Sequence, residues 1–268
     1  MIRAMWTAAS GMKAMQFSVD TIANNLANVS TYGYKKERPE FQDLLYVTMQ
    51  KANAPTAEDP GSPVNLQVGH GVLPRATVRD FTMGNLEQTA NPLDMAIEGD
   101  GFFQIQMPDG TVRYTRDGAF KLSVTEEGNM ITTSRGFPVL DRDGAPIIFT
   151  QQLSDITFTE SGEVTYRDEE GLNLPTGQFI GVHKFQNRQG LEAVGGNLYA
   201  VTGGSGAAIP DTELGDPSMI RSGYLESSNV AIVEEMVKMI ASQRAYELNS
   251  KAITTSDEML QTANALRR

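Results

Sequence analysis

Between Met5 and Val29 the apolar residues return at alternating steps of three and four: Met5, Ala8, Met12, Met15, Val19, Ile22, Leu26 and Val29. A 3.5-residue repeat held this long predicts an α-helix with a seam that a second helix can cover along its length. The first 30 residues carry only three charges, Arg3, Lys13 and Asp20. A helix with one face in water carries more. Trp6, Ala9, Phe17, Ala23 and Ala27 widen the apolar surface beyond a single seam, so this helix is expected to meet more than one neighbour.

The other end of the chain answers it. No Gly or Pro occurs from Val230 to Leu266. Val230, Val233, Val237, Ile240, Ala241, Ala245, Leu248, Ala252, Thr255, Met259, Ala263 and Leu266 follow helical steps, with one phase slip near Ile240. Ser227, Ser228 and Asn229 offer N-caps, and Glu234 and Glu235 suit the positive end of the helix dipole. At 1.5 Å rise per residue the two helices would span roughly 40 Å and roughly 55 Å. The simplest partner for each is the other. The expected fold is therefore α+β: terminal helices joined in a coiled coil, a central all-β domain, and an extended β-rich linker region. The candidate interface residues are Met5, Met12, Met15, Val19, Ile22, Leu26, Val29, Val230, Val233, Val237, Ile240, Leu248, Met259 and Leu266.

Between the helices the periodicity changes. Asn24, Asn25 and Asn28 weaken the first helix and Gly33 ends it; Phe41, Leu44, Leu45 and Tyr46 read as a short apolar helix or extended piece. Lys51 to Pro63 is polar and proline-rich, a loop. Val68, Val72, Leu73, Val78, Phe81, Leu86 and Ile97, punctuated by Gly69, Gly71, Gly84 and Pro92, read as extended segments. From Gly99 short alternating runs such as Phe103, Ile105 and Met107 end in turn residues: Pro108-Asp109-Gly110, Arg116-Asp117-Gly118, Glu127-Gly128-Asn129 and Asp141-Arg142-Asp143-Gly144. That predicts a β sandwich or barrel, with Gly203-Gly204-Ser205-Gly206 as a hinge after it. The expected division is 1–45 for the N-terminal helix and turn, 46–98 for linker and extended β region, 99–202 for the outer β domain, 203–228 for a return linker and 229–268 for the C-terminal helix.

Net charge is −11, which opposes nucleic acid and an anionic membrane surface as partners. No stretch has the roughly 20 apolar residues of a membrane span, so no direct membrane insertion is expected. Thr7, Ser10, Lys13 and Gln16 interrupt any signal-peptide core. On these grounds alone a cytosolic protein is the default. The sequence contains no Cys, and His70 and His183 are its only histidines, neither at a zinc-ligand spacing. His183 reads as a structural or surface side chain. Gly203-Gly204-Ser205-Gly206-Ala207 misses the nucleophile elbow, and no P-loop follows any Gly-rich stretch. Asp141 to Gly144 lacks the spacing of a calcium loop. Glu126-Glu127 and Glu169-Glu170 read as solvated turns rather than acid/base pairs. No catalytic residue, cofactor or metal is expected. A cytosolic enzyme or chaperone with a helical handle would need a polar pocket that nothing local announces.

Ala23-Asn24-Asn25-Leu26-Ala27-Asn28-Val29-Ser30-Thr31-Tyr32-Gly33-Tyr34-Lys35 resembles the N-terminal signature of bacterial flagellar rod and hook proteins. The run from Gly223 to Arg267 resembles their C-terminal signature. Gly99-Asp100-Gly101-Phe102-Phe103, followed by Tyr114-Thr115-Arg116-Asp117-Gly118-Ala119-Phe120, is similar to their middle motif. The opening Trp6 to Met12, the length and Leu66-Gln67-Val68-Gly69 look most like the distal-rod members, with proximal-rod and hook members as alternatives. The resemblance implies a subunit of the drive shaft, a helical homopolymer whose terminal helices line a tube around the export channel. It also implies contacts with other rod proteins, the hook protein and the P and L rings, a place in the periplasm, and export without a cleaved signal. That moves the expectation away from the cytosol.

Overall fold

The computed structural model describes residues 2–52, 64–125, 128–149, 156–167 and 173–266. The turn residue Glu127, the pairs Glu126-Glu127 and Glu169-Glu170, and most of the proline-rich loop lie outside them. The architecture is α+β, with one helix near each end and a β-rich middle. The chain forms two compact units, Met1–Ala27 with Glu37–Val78 and Ala231–Arg268, and Asn28–Lys36 with Arg79–Val230.

The first unit contains α1 (Ile2–Ala27), β1 (Glu37–Asp43), β2 (Tyr46–Gln50), β3 (Leu66–Gly69), β4 (Val72–Arg79) and α2 (Ile232–Ala265). α1 and α2 pack against each other. Sheet pairs β1–β4 and β2–β3 complete the unit, so the Phe41–Tyr46 stretch is extended. Ala8 and Ile22 of the expected seam are buried, and the other buried positions of α1 from Ala14 onward lie one residue before seam positions. The buried side chains of α1 are Ala8, Ala14, Ser18, Thr21, Ile22 and Asn25, while Met5, Met12, Met15, Val19 and Leu26 are half-buried beside them. On α2 the buried side chains are Glu235 and Ser256, with Met239, Ser242, Ala245, Asn249, Ile253 and Leu260 half-buried along the same line.

Small side chains line the contact because they let the helices approach. A Cβ added to Gly11 would lie 2.9 Å from the Asn249 amide nitrogen. Their hydroxyls need no outside partner. Thr21 donates to the Phe17 carbonyl and Ser256 to the Ala252 carbonyl, both at 2.8 Å, which are the back-bonds helical Ser and Thr make to the preceding turn. The start of α2 also departs from expectation. Its N-cap is Ala231, with no side-chain cap bond. Asn229 is engaged elsewhere, as described below.

In the second unit the strands are β5 (Leu86–Gln88), β6 (Met95–Glu98), β7 (Phe102–Gln106), β8 (Val112–Thr115), β9 (Lys121–Thr125), β10 (Gly128–Thr132), β11 (Ile148–Phe149), β12 (Ile156–Phe158), β13 (Glu163–Arg167), β14 (Asn173–Phe179), β15 (Val182–Lys184), β16 (Glu192–Gly195), β17 (Leu198–Ala200), β18 (Ile209–Pro210), β19 (Met219–Ser222) and β20 (Tyr224–Glu226). A six-stranded sheet runs β16-β17-β8-β7-β15-β18. Smaller sheets are β11-β10-β9, β12-β13-β14, β19-β6 and β20-β5.

Alternation along β7 divides the core in two. Phe103 points into a cluster with Met95, Ile97, Phe120, Ile131 and Ile220. Phe102 points the other way, into an aromatic cluster with Phe81, Tyr114, Phe185 and Tyr199 packed edge to face.

Residues 203–228, expected as a linker, instead supply β18, β19 and β20, which pair with β15, β6 and β5. Gly203 to Gly206 is an ordered turn in which Ser205 is buried and its hydroxyl donates to Thr202 O at 2.9 Å. Pro108-Asp109-Gly110 and Asp141 to Gly144 are turns, with Gly110 and Gly144 at positive φ. Arg116-Asp117-Gly118 is not a hairpin turn: the chain bends there and leads Ala119 into a bridge with Asp94.

Candidate functional site

Arg116 is where the sequence reading and the structure part most sharply. Its guanidinium lies within the second unit, 1% exposed, with Lys35 at 0% and Glu226 at 1%. Lys35 Nζ reaches Glu226 Oε1 at 2.5 Å and also donates to the Thr82 carbonyl at 2.7 Å. Glu226 Oε1 further accepts the Gly84 N–H at 2.8 Å. The second carboxylate oxygen faces Arg116 Nη1 at 3.4 Å. Arg116 then donates to the carbonyls of Ile97 at 3.3 Å and Gly99 at 2.6 Å, and stacks over the Phe102 ring at 5.2 Å. A charge buried this far is tolerated only when paired and hydrogen-bonded. Here two cations share one carboxylate. Burial pushes the Lys35 ammonium and the Arg116 guanidinium below their ordinary pKa ranges, and Glu226 opposes that in both.

The backbone around the cluster is equally close. The Gly33 N–H donates to the Glu226 carbonyl at 2.8 Å. Gly33 has φ +67°, and a Cβ there would sit 2.6 Å from the Asp117 nitrogen. Only glycine satisfies both demands. Asn229, expected as a helix cap, accepts the Lys36 N–H and donates to the Asp80 carbonyl, each at 2.8 Å. The cluster therefore draws Gly33 and Lys35 from the N-terminal motif, Gly99, Phe102 and Arg116 from the two parts of the middle motif, and Glu226 and Asn229 from the C-terminal motif. The sequence alone puts Lys35 at the end of the N-terminal signature and Arg116 in a turn. Lys35 and Glu226 are 191 positions apart, so no local periodicity could pair them.

A second polar anchor lies in the first unit. Asn25 Nδ2 donates to the Glu37 carbonyl at 2.8 Å and to Glu235 Oε2 at 3.1 Å, and Asn25 Oδ1 accepts the Glu37 N–H at 2.9 Å. Lys238 holds the other Glu235 oxygen at 2.6 Å. Asn25 thus fixes the start of β1 and one end of α2 against α1.

The candidate interface residues divide into three groups. Ile22 is buried, and Met5, Met12, Met15, Val19 and Leu26 are half-buried in the first unit. Val29 and Val230 belong to the second unit, where Val230 is buried. Val233, Val237, Ile240, Leu248, Met259 and Leu266 are exposed, between 53% and 84%. These apolar side chains of α2 therefore face away from α1, and a mixed line of Glu235, Met239, Ser242, Ala245, Asn249, Ile253, Ser256 and Leu260 faces toward it. Among the described residues no group of three His, Asp or Glu side chains is arranged to hold a metal ion, and no helix is long and apolar enough to cross a membrane.

Three family models coincide with the motifs that converge here. Residues 5–35 match the flagella basal body rod protein model, 96–166 the D1 domain of flagellar hook protein FlgE/F/G, and 221–266 the C-terminal model of flagellar basal body rod FlgEFG proteins. These define the class, an axial protein of the bacterial flagellum of the rod and hook type. Full-length relatives narrow it. The chain is 49% identical over 100% of both chains to the flagellar basal-body rod protein FlgG of Borreliella burgdorferi. It is 37% identical, again over 100% of both, to FlgG of Bacillus subtilis, and 30% identical to the flagellar hook-basal body complex protein FlhP of the same organism. The chain belongs to the FlgG family of flagellar basal-body rod proteins.

Proposed function

We propose that this chain is the structural subunit of the flagellar distal rod. Copies stack into a helical tube that carries motor torque to the hook and surrounds the export channel. The end-to-end identity with FlgG carries this reading. Its mechanism is mechanical: many weak contacts, repeated at every copy, add up to a stiff shaft.

The exposed stripe of α2 supports it physically. Val233, Val237, Ile240, Leu248 and Met259 are large apolar side chains in water, and such a row marks a binding surface. In the tube they are covered by neighbouring copies, with α1 and α2 acting as a coiled-coil pair. Further partners are the other rod proteins, the hook protein and the surrounding P and L rings, in the periplasm, reached by flagellar export without signal cleavage. The 46–72 segment adds contacts between copies that stiffen the shaft; Tyr46, Met49 and Leu66 project from it into solvent.

The test is replacement. Cells whose only FlgG is this chain should build basal bodies that contain it and should swim. Basal bodies that form without incorporating it would overturn the assignment.

A further inference from the structure

Residues 28–36 are tied into the second unit by the short segment 226–229. The Gly33 N–H bonds the Glu226 carbonyl, the Lys36 N–H bonds Asn229 Oδ1, and Lys35 Nζ pairs with the Glu226 carboxylate. The charges are unequal. Lys35 and Arg116 share Glu226 as the one carboxylate that bonds them both, while Asp80 and Asp100 attract them only from farther off. Removing the carboxylate strands two buried cations; removing Lys35 leaves a balanced Arg116–Glu226 pair.

We propose that Glu226 is a completion latch: the N-terminal motif segment 28–36 seats in the second unit only once the C-terminal motif has delivered this carboxylate. A chain that stops short of residue 226 keeps Lys35 and Arg116 without their shared counter-ion and leaves 28–36 unseated. The two ends of the chain are then committed together or not at all. This device acts within one chain, so it stands or falls independently of the rod assignment.

The test uses the full-length chain, dilute enough to stay unassembled, with Glu226→Gln, Lys35→Met and the double variant. Glu226→Gln leaves two uncompensated cations and should melt lowest, with the double variant, which leaves one, above it; Lys35→Met leaves none and loses only the Lys35 bonds to Glu226 and Thr82, so it should stay nearest the wild type. Glu226→Gln should lower the melt by about 10 °C, because it removes the carboxylate that two buried cations share. Native-state hydrogen exchange should show Gly33 and Lys36 amides losing protection on the order of a hundredfold in Glu226→Gln. Amides of β9 and β10, whose strand bonds involve no residue of the cluster, should lose less. If Glu226→Gln fails to fold, the double variant reads the same rule, since it must fold better than the single. In wild-type refolding, Gly33 and Lys36 should gain protection no earlier than Leu225 and Glu226. Equal losses from Lys35→Met and Glu226→Gln, a double variant equal to their sum, or protection at Gly33 before Glu226 would each overturn the latch.

Discussion

In the second unit the large side chains are inside: Phe102, Phe103, Phe120, Ile131 and Tyr199 are all buried, and even Arg116 and Lys35 are withdrawn from water. In the first unit the pattern inverts. Ser18, Thr21, Asn25, Glu235 and Ser256 are buried, while Trp6, Val233, Val237, Ile240 and Leu248 are exposed. Both units come from one chain in one solvent, so the difference reflects what each is folded for. The second unit buries its large aromatic residues within itself and uses charge to join distant segments. The first unit packs its helices through small and polar residues beside Ile22, Met239, Ile253 and Leu260, and leaves a row of large apolar side chains exposed. Burying that surface is worth about 25 cal/mol per Å² of apolar area. In the proposed rod, neighbouring copies supply that burial.

The sharpest way to break this contrast is to cut into the second unit's core. Phe103, fully buried and edge to face with Phe120 at 5.0 Å, leaves a large cavity as Phe103→Ala. The melt of the second unit should lose about 3–5 kcal/mol. A loss below about 1 kcal/mol would mean that the unit does not depend on this core. Asn25→Leu asks the matching question of the first unit. It removes the partner of the Glu37 backbone and of Glu235. A helical circular-dichroism melt should drop by about 2–3 kcal/mol, and an unchanged melt would show that apolar packing alone holds α1 against α2.

A smaller effect follows from pH. His183 is buried, with its ring edge to face with Tyr114. Burial and the nearby Arg142 push its pKa below the ordinary histidine value, against a weaker pull from Asp211. The unfolded chain therefore takes up a proton that the folded chain refuses. The associated stability is complete above the ordinary value of about 6.5 and is lost as pH falls from there through the lowered folded value. The second unit should melt lower at pH 5 than at pH 7, and His183→Phe should flatten part of that slope. An identical slope in the variant would remove His183 from the account. The smallest effect on the isolated chain belongs to the stripe itself. Val237→Ser and Leu248→Ser should leave monomer stability within about 0.5 kcal/mol, yet weaken incorporation into rods. A large monomer loss would mean that these residues belong to an internal core.

Much of this contrast was legible in the sequence. The two helices are readable from apolar steps, and α1 ends at Ala27, just before Asn28, the last of the three Asn that weaken it. Pro108-Asp109-Gly110 and Asp141 to Gly144 were readable because a turn is decided by adjacent residues. What escaped was whatever depends on distance or on small side chains. Hydrophobicity puts the α1 seam at Met5, Ala8, Met12, Met15, Val19, Ile22, Leu26 and Val29, of which Ala8 and Ile22 are buried, while close approach also selects Ala14, Ser18, Thr21 and Asn25. Arg116-Asp117-Gly118 carries turn letters, yet its Arg answers a carboxylate 110 positions away. Asn229 has the chemistry of a helix cap, but its side chain is taken by the backbone of Lys36, Asp80 and Thr82. Residues 203–228 look like a linker because their strands are short and pair with β5, β6 and β15 far upstream.

The central claim is that the apolar stripe of α2 is reserved for neighbouring copies. A side-chain-resolution cryo-EM map of basal bodies built from this chain tests it directly. The account predicts that Val233, Val237, Ile240, Leu248 and Met259 are covered by adjacent subunits in the rod. Those side chains facing open water in the assembled tube, with the contacts between copies running through other surfaces, would contradict it.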